Sequence, residues 1–232
     1  AMALPIVRIA LCLLFILLAH RGAYPAPLVP RRRPGRECLE VAVIVAGLLV
    51  VPHIRFDLLG YSGWLSAYLV FGLVVPPVME WIVRRRSLSV IGFRAPINPR
   101  MLIIVAIIMG LYVVARVAQP LVGGEGFALA WPGFFSTVIL FPFLEETLFR
   151  GLIQTRLESA LGAVQSWIWT GLLFACYHGY VHYLVPGRAL AAADALGLIY
   201  LATFGMLLGV IFAKTRSLLP PFLIHAVNNL SL

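Results

Sequence analysis

Charge is what this sequence has least of. Only 12% of its 232 residues are Asp, Glu, Lys or Arg, whereas 62% are hydrophobic, and the mean hydropathy is +0.98. Soluble domains carry ~45–50% apolar residues, so a water-soluble domain is excluded and the chain reads as an integral membrane protein. Cysteine is scarce too. Cys12, Cys38 and Cys176 lie far apart without CxxC spacing, which excludes a disulfide framework or a zinc knuckle and leaves small thiols in or beside apolar segments. There is no HExxH signature and no repeat at a solenoid period. Lysine is nearly absent: Lys214 is the one lysine among 18 basic residues. The formal charge of +9 comes from arginines clustered at the ends of apolar segments, a pattern suited to lipid headgroups and membrane orientation and not to nucleic acid.

What is present is a succession of apolar runs. Reading for stretches of about 17–25 residues, we expect spans at Leu4–Ala19, Val41–Ile54, Leu58–Val83, Met101–Val117, Pro132–Phe149, Ser166–Val185, Leu190–Ala213 and Leu218–Leu232. The first run has Arg8 before an apolar core, as a signal peptide does, but Gly22–Tyr24 offers no small-x-small cleavage site, so it reads as a retained span. The expectation is one all-α polytopic domain over residues 1–232, with N-terminal spans and basic linkers in 1–100 and a catalytic core in 132–232. "YPAPLVPRRRPGRE" reads as a proline-rich basic linker, "VGGEGF" as a glycine turn, and Pro220 and Pro221 suit a helix's first turn.

If all eight runs cross, alternate loops hold Arg21, Arg31, Arg32, Arg33 and Arg36; Arg84, Arg85, Arg86, Arg94 and Arg100; Arg150 and Arg156; and Lys214 and Arg216. Those loops carry 14 of the 18 basic residues, and the positive-inside rule makes their side cytoplasmic. Both termini then face outward, and the stretch "EETLFR" lies at the cytoplasmic end of the fifth run. A compact chain without organelle signals points to a prokaryotic inner membrane.

An ionisable group at the bilayer centre costs about 2.5–3.5 kcal/mol on insertion scales, so the charges inside these runs need a reason. Glu146 and Arg150 are four apart and can pair on one helical face, whereas Glu145 is rotated by about 100° and points elsewhere. We assign Glu146 to the ion pair and Glu145 to chemistry. A second run carries His178 and His182, and the last carries His225 and Asn229 on one face. A carboxylate can take a proton from water, an imidazole can orient that water, and an oxyanion needs donors aimed at it. Glu145 with His178 suits the first task and His225 with Asn229 the second. Cys176, two residues before His178, cannot share its helical face and reads as packing.

These residues also form ordered motifs. Glu145, Glu146 and Arg150 make EExxxR; Phe174 and His178 make FxxxH; His225 and Asn229 make HxxxN. In order and separation the chain resembles the CAAX-protease and bacteriocin-processing membrane peptidases, the CPBP group that contains the prenyl-protein endopeptidases and the Abi proteins. The likeness covers about Phe134–Leu230, including "GMLLG" at 205–209, and "IGFRAP" at 91–96 is mildly like a linker of that family. The resemblance implies an intramembrane endopeptidase with a helical core and a conical cavity open to the cytoplasm. It also implies that Glu145 and His178 activate the water, that His225 and Asn229 form the oxyanion site, and that Glu146 and Arg150 shape the helix end. His182 lies outside the family pattern and reads as packing or substrate-facing, the alternative being that it completes a metal site.

Glu145, His178 and His225 could also hold zinc as a two-histidine, one-carboxylate set. Asn229 is a poor zinc ligand and its pairing with His225 suits oxyanion binding, so a glutamate-activated water without a metal is the favoured expectation. Competing readings are a proton-coupled transporter, which would show repeats and mid-membrane helix breaks in matching halves, and a silent immunity or scaffold protein, which need not retain all three motifs. The expected partners are the bilayer and a membrane-anchored or lipidated protein or peptide: a prenylated tail, a bacteriocin precursor or a C-terminal sorting helix. No nucleic acid is expected.

Overall fold

The structure is a computed structural model that describes residues 3–30, 34–50, 53, 57–58, 61–62, 69–123 and 134–230. Its helices are α1 (Ala3–His20), α2 (Pro34–Val50), α3 (Leu69–Val83), α4 (Pro99–Gly123), α5 (residues 135–161), α6 (residues 163–184), α7 (Ala192–Thr215) and α8 (Leu219–Asn228). A short 3₁₀ turn, Leu88–Ile91, precedes α4, and Asp57–Leu58 pairs antiparallel with Tyr61–Ser62. The all-α expectation therefore holds apart from that small ladder. The turn expected at 122–127 begins within α4, and its residues 124–127 lie outside the described residues, as do Arg31, Arg32 and Arg33 of the linker, Arg55, and the ends of several expected runs.

Two boundaries differ from the sequence reading for clear reasons. The proline-rich linker ends inside α2, because Pro34 needs no N–H donor in a first helical turn and Glu37 complements the positive end of the helix dipole. The fifth run does not stop at Phe149. Helix α5 continues through Arg150 and Arg156 to Leu161, where Gly162 turns the chain with φ of 90°. Arg150 is not a loop residue: its side chain is fully buried. The stretch "EETLFR" is thus in the middle of a helix. Widened i→i+5 turns occupy Phe135–Leu140 and Thr147–Gln154, on either side of the two glutamates, and such turns re-aim side chains at functional positions.

Among the described residues, α7 alone is both long and apolar enough to cross a membrane by that measure, while Leu4–His20, Leu69–Val83 and Pro99–Ala115 are shorter apolar helices. The interruption in α5 is chemical, since Glu145, Glu146, Arg150, Arg156 and Glu158 all lie within it.

Helices α6 and α7 pack at the centre through glycine. A Cβ on Gly171 would stand 2.6 Å from the Met206 backbone nitrogen, and one on Gly209 would stand 2.8 Å from Trp167 Cβ. Small residues at four-residue spacing let helix backbones approach this closely. Beside α6 on the same glycine face of α7, α5 presents a polar row at four-residue steps. Arg150 donates to the Gly205 carbonyl at 3.0 Å, Gln154 to the Gly209 carbonyl at 2.8 Å, and Glu158 accepts two bonds from Arg216 at 2.5 and 2.8 Å. Residue numbers rise together in these pairs, so α5 and α7 run parallel.

The bundle therefore has two chemically distinct ends. At one, Lys214 and Arg216 meet the segment after α1, Arg84 meets Glu40, and Arg156 meets Glu37, Glu40 and Glu80. At the other, Tyr180 donates to the Leu49 carbonyl, Tyr183 to Asp194, and Arg8 lies over the Tyr200 ring.

Candidate active site

Three helices deliver the polar groups. Glu145 and Glu146 come from α5, His178 from α6, and His225 from α8, and they meet around Phe174. Consecutive positions on a helix diverge by about 100°, and the two glutamates diverge accordingly. Glu146 Oε1 lies 3.1 Å from an Arg150 guanidinium nitrogen and 2.8 Å from His225 Nδ1. Glu145 Oε2 faces the imidazoles instead, 3.6 Å from His225 Nε2 and 3.8 Å from His178 Nε2.

Hydrogen bonding orients the rings. The Phe174 carbonyl, 2.9 Å from His178 Nδ1, can only accept, so Nδ1 carries a proton and Nε2 faces Glu145. His225 Nδ1 lies 2.8 Å from Glu146 Oε1, which leaves its Nε2 facing Glu145 as well. Glu145 Oε2 is buried and has no hydrogen-bond partner among the described residues. A buried acceptor left without a partner is expensive, and a donor placed between it and the rings relieves it.

Phe174 fixes the walls. Its ring lies 4.3 Å from the His178 ring and 5.8 Å from the His225 ring, with the Arg150 guanidinium 5.0 Å from its centroid. Phe204 backs His225 edge-on at 5.5 Å.

Asn229 follows His225 by one turn at the end of α8, where its side-chain amide donates to the Thr137 carbonyl at 3.1 Å. Its neighbour Asn228 accepts from Tyr200 at 2.6 Å. His182 is exposed, one turn beyond His178, with ring centroids 5.9 Å apart. Cys176 is exposed and free, and Cys12 is buried and free.

Glu145, His178 and His225 have zinc-ligand chemistry. Among the described residues, however, no group of three or more His, Cys, Asp and Glu side chains is arranged to hold a metal ion. No chemical step is therefore routed through a metal.

The sequence reading missed two features. The Glu146–His225 bond depends on how α8 is rotated against α5, which no spacing within either helix encodes. Gln154 and Glu158 did carry a signal, because they extend the Glu146 and Arg150 positions by further four-residue steps.

Residues 127–231 match the family model described as Rce1-like, Type II CAAX prenyl endopeptidase Rce1-like. No curated protein and no solved structure gives a significant match to the chain.

Proposed function

From the premise that residues 127–231 carry the signature of the CAAX-protease family, we propose that this chain is a multi-pass membrane endopeptidase, its helices spanning about eight times. It cuts a membrane-anchored or lipidated protein or peptide near its C-terminus by activating water with Glu145 and His178. The observation that carries this reading is the convergence of Glu145 Oε2 with the Nε2 atoms of His178 and His225, at 3.8 and 3.6 Å, from three helices remote in sequence.

Water between these groups donates to the Glu145 carboxylate and to His178 Nε2. As its oxygen forms a bond to the scissile carbonyl carbon, its proton passes to Glu145, the general base. The carbonyl oxygen gains the negative charge. His225, entering the step with both ring nitrogens protonated by uptake from solvent and returning to that form at its end, and the second amide N–H of Asn229 are the donors for it, with Glu146 sharing the positive charge through Nδ1 much as a triad carboxylate does. Collapse of the tetrahedral species breaks the C–N bond, and the proton held by Glu145 goes to the leaving amine. Phe174 and Arg150 hold the rings and Glu146 in register.

The test is cleavage of anchored peptide tails by purified protein in bilayers, read by mass. Glu145→Gln and His178→Ala should each lower turnover by about 10²–10⁴-fold, and Asn229→Ala by about 10²–10³-fold, with folding retained. Unchanged turnover in the first two variants overturns the assignment. Loss of activity with a chelator and its return with zinc overturns the metal-free chemistry.

A further inference from the structure

Asn229 caps the C-terminal end of α8. Its backbone N–H still bonds to the His225 carbonyl at 3.0 Å, but helix ends fray, and a side-chain amide carries an acceptor as well as donors. Donation at a fixed point requires that the amide be held and that its nitrogen and oxygen not exchange places. Contacts with α5 and with a chain of side chains running through α7 do both.

The first restraint is the Thr137 carbonyl, which lies in the widened turn Phe135–Leu140. A helix satisfies such an oxygen with the N–H four residues on, or five in a widened turn. Here the Phe141 N–H goes to the Ser136 carbonyl, and Pro142 has no N–H to give. The Thr137 oxygen is thereby open to the Asn229 side chain, whose Nδ2 donates to it at 3.1 Å.

A carbonyl oxygen only accepts, so that single contact fixes the direction of every bond beyond it. With its nitrogen on Thr137, Asn229 turns Oδ1 to Asn228 Nδ2, which donates at 3.4 Å. Asn228 then presents its own Oδ1 to the Tyr200 hydroxyl, which donates at 2.6 Å. The Tyr200 oxygen in turn accepts from the Tyr112 hydroxyl at 3.1 Å. Flipping Asn228 would set two amide oxygens against each other, and flipping Asn229 would set its oxygen against the Thr137 carbonyl. The relay thus ties α4, α7, α8 and α5 together with one polarity. Because an amide group is planar, holding one N–H on Thr137 also fixes the direction of the second.

We propose that Tyr200, Asn228 and Pro142 are positioning residues for the oxyanion donor: Tyr200 and Asn228 orient the Asn229 amide, and Pro142 keeps the Thr137 carbonyl open to receive it. This rests on the peptidase reading above, in which the second N–H of Asn229 meets the developing charge. A donor stabilises that charge only where it is already aimed, so loosening the amide slows the chemical step and leaves substrate binding alone. The Tyr200 ring has packing contacts of its own, stacked on Phe204 at 5.7 Å with Arg8 over its other side, and a phenylalanine keeps them.

The experiment measures cleavage of anchored peptide tails by the full chain in bilayers, with Tyr200→Phe, Asn228→Asp and Pro142→Ala each made alone and together with Asn229→Ala. Tyr200→Phe removes the hydroxyl, Asn228→Asp removes the donor to Asn229 while still accepting from Tyr200, and Pro142→Ala returns an N–H that competes for the Thr137 carbonyl. Each single variant should lower kcat by about 10–100-fold with KM little changed. Added to Asn229→Ala, each should change kcat by no more than about 2-fold, because the group it acts through is gone.

Equal losses with and without Asn229 would mean that these residues serve only the fold, and overturn the proposal; so would wild-type kcat in the single variants, or a rise in KM in place of the fall in kcat. Thermal unfolding identifies a variant that does not fold, and the other two then decide, since each enters the relay at a different contact. A wild-type chain that cuts nothing, or cuts equally well after Glu145→Gln, removes the peptidase reading and this proposal with it. Cleavage that needs Glu145 but is unmoved by Asn229→Ala or by the three variants removes this proposal alone.

Discussion

At the scale of single residues, Arg150 is the most constrained side chain in the site. It is fully buried, pairs with Glu146, donates to the Gly205 carbonyl and lies over Phe174. Removing one partner of a buried ion pair strands the other charge at a cost of about 3–5 kcal/mol. Arg150→Met should lower stability in detergent by about that amount, measured by thermal unfolding. Arg150→Lys should recover little of it, because a single ammonium cannot reproduce the fork that reaches both a carboxylate and a carbonyl. That Glu146 pairs with Arg150 while Glu145 points elsewhere was legible from their adjacency on a helix, since helical geometry alone separates them. The second contact of Glu146, to His225 Nδ1, was not legible, because it depends on tertiary placement of α8.

At the scale of elements, α5, α6 and α7 form the frame that brings the motifs together. The apolar runs located these helices within a few residues for α6, α7 and the start of α8, where Pro220 and Pro221 do occupy the first turn. The length of α5 escaped the sequence reading because its charges were taken as a boundary. Arg150, Arg156 and Glu158 find partners on neighbouring segments and so do not end the helix. Glycine decides how close α6 and α7 come. Gly171→Ala would bring a methyl to 2.6 Å from the Met206 nitrogen and 2.9 Å from the Ala202 carbonyl, atoms of rigid backbone that cannot step aside. Overpacking of this sort costs about 1–3 kcal/mol. The variant should unfold at lower temperature and, because Phe174 lies one turn along α6, should lose turnover as well; equal stability and turnover would show that the helices yield.

At the scale of the whole molecule, the basic end is a latch joining α2, α3 and α5. Glu40, just before the second expected span, accepts from Arg84, from Arg156 at 3.2 Å and from Arg36 at 3.2 Å. Burial alone would raise its carboxyl, but the hydrogen bond and charge of Arg84, followed by Arg156 and Arg36, outweigh it and hold the group below its ordinary value. A carboxyl depressed by folding stabilises the fold above its unfolded value, and that contribution is lost as pH falls through the folded one. Thermal stability should therefore drop as pH is lowered past about 4.3, the ordinary glutamate value, and Glu40→Gln should be less stable at neutral pH with a shallower acid dependence. A parallel acid dependence in the variant would overturn the assignment to Glu40. The polar row that ties α5 to α7 was not legible as a contact, because it depends on how the two helices pair.

Lys214 anchors the first helix in an unusual way. Its ammonium is shared among the main-chain oxygens of Arg21, Gly22 and Ala23, at 3.1, 2.6 and 3.1 Å, with the Tyr24 ring 3.9 Å away. A grip on peptide oxygens is blind to the side chains that accompany them. Positions 21 and 23 are thus free to drift in identity without loosening the tether, while Gly22, with φ of 80°, is kept by its backbone conformation. The apolar packing of Cys12, Phe15, Ile16 and Ala19 against α7 holds the body of α1, and the one lysine of the chain fixes where its end turns.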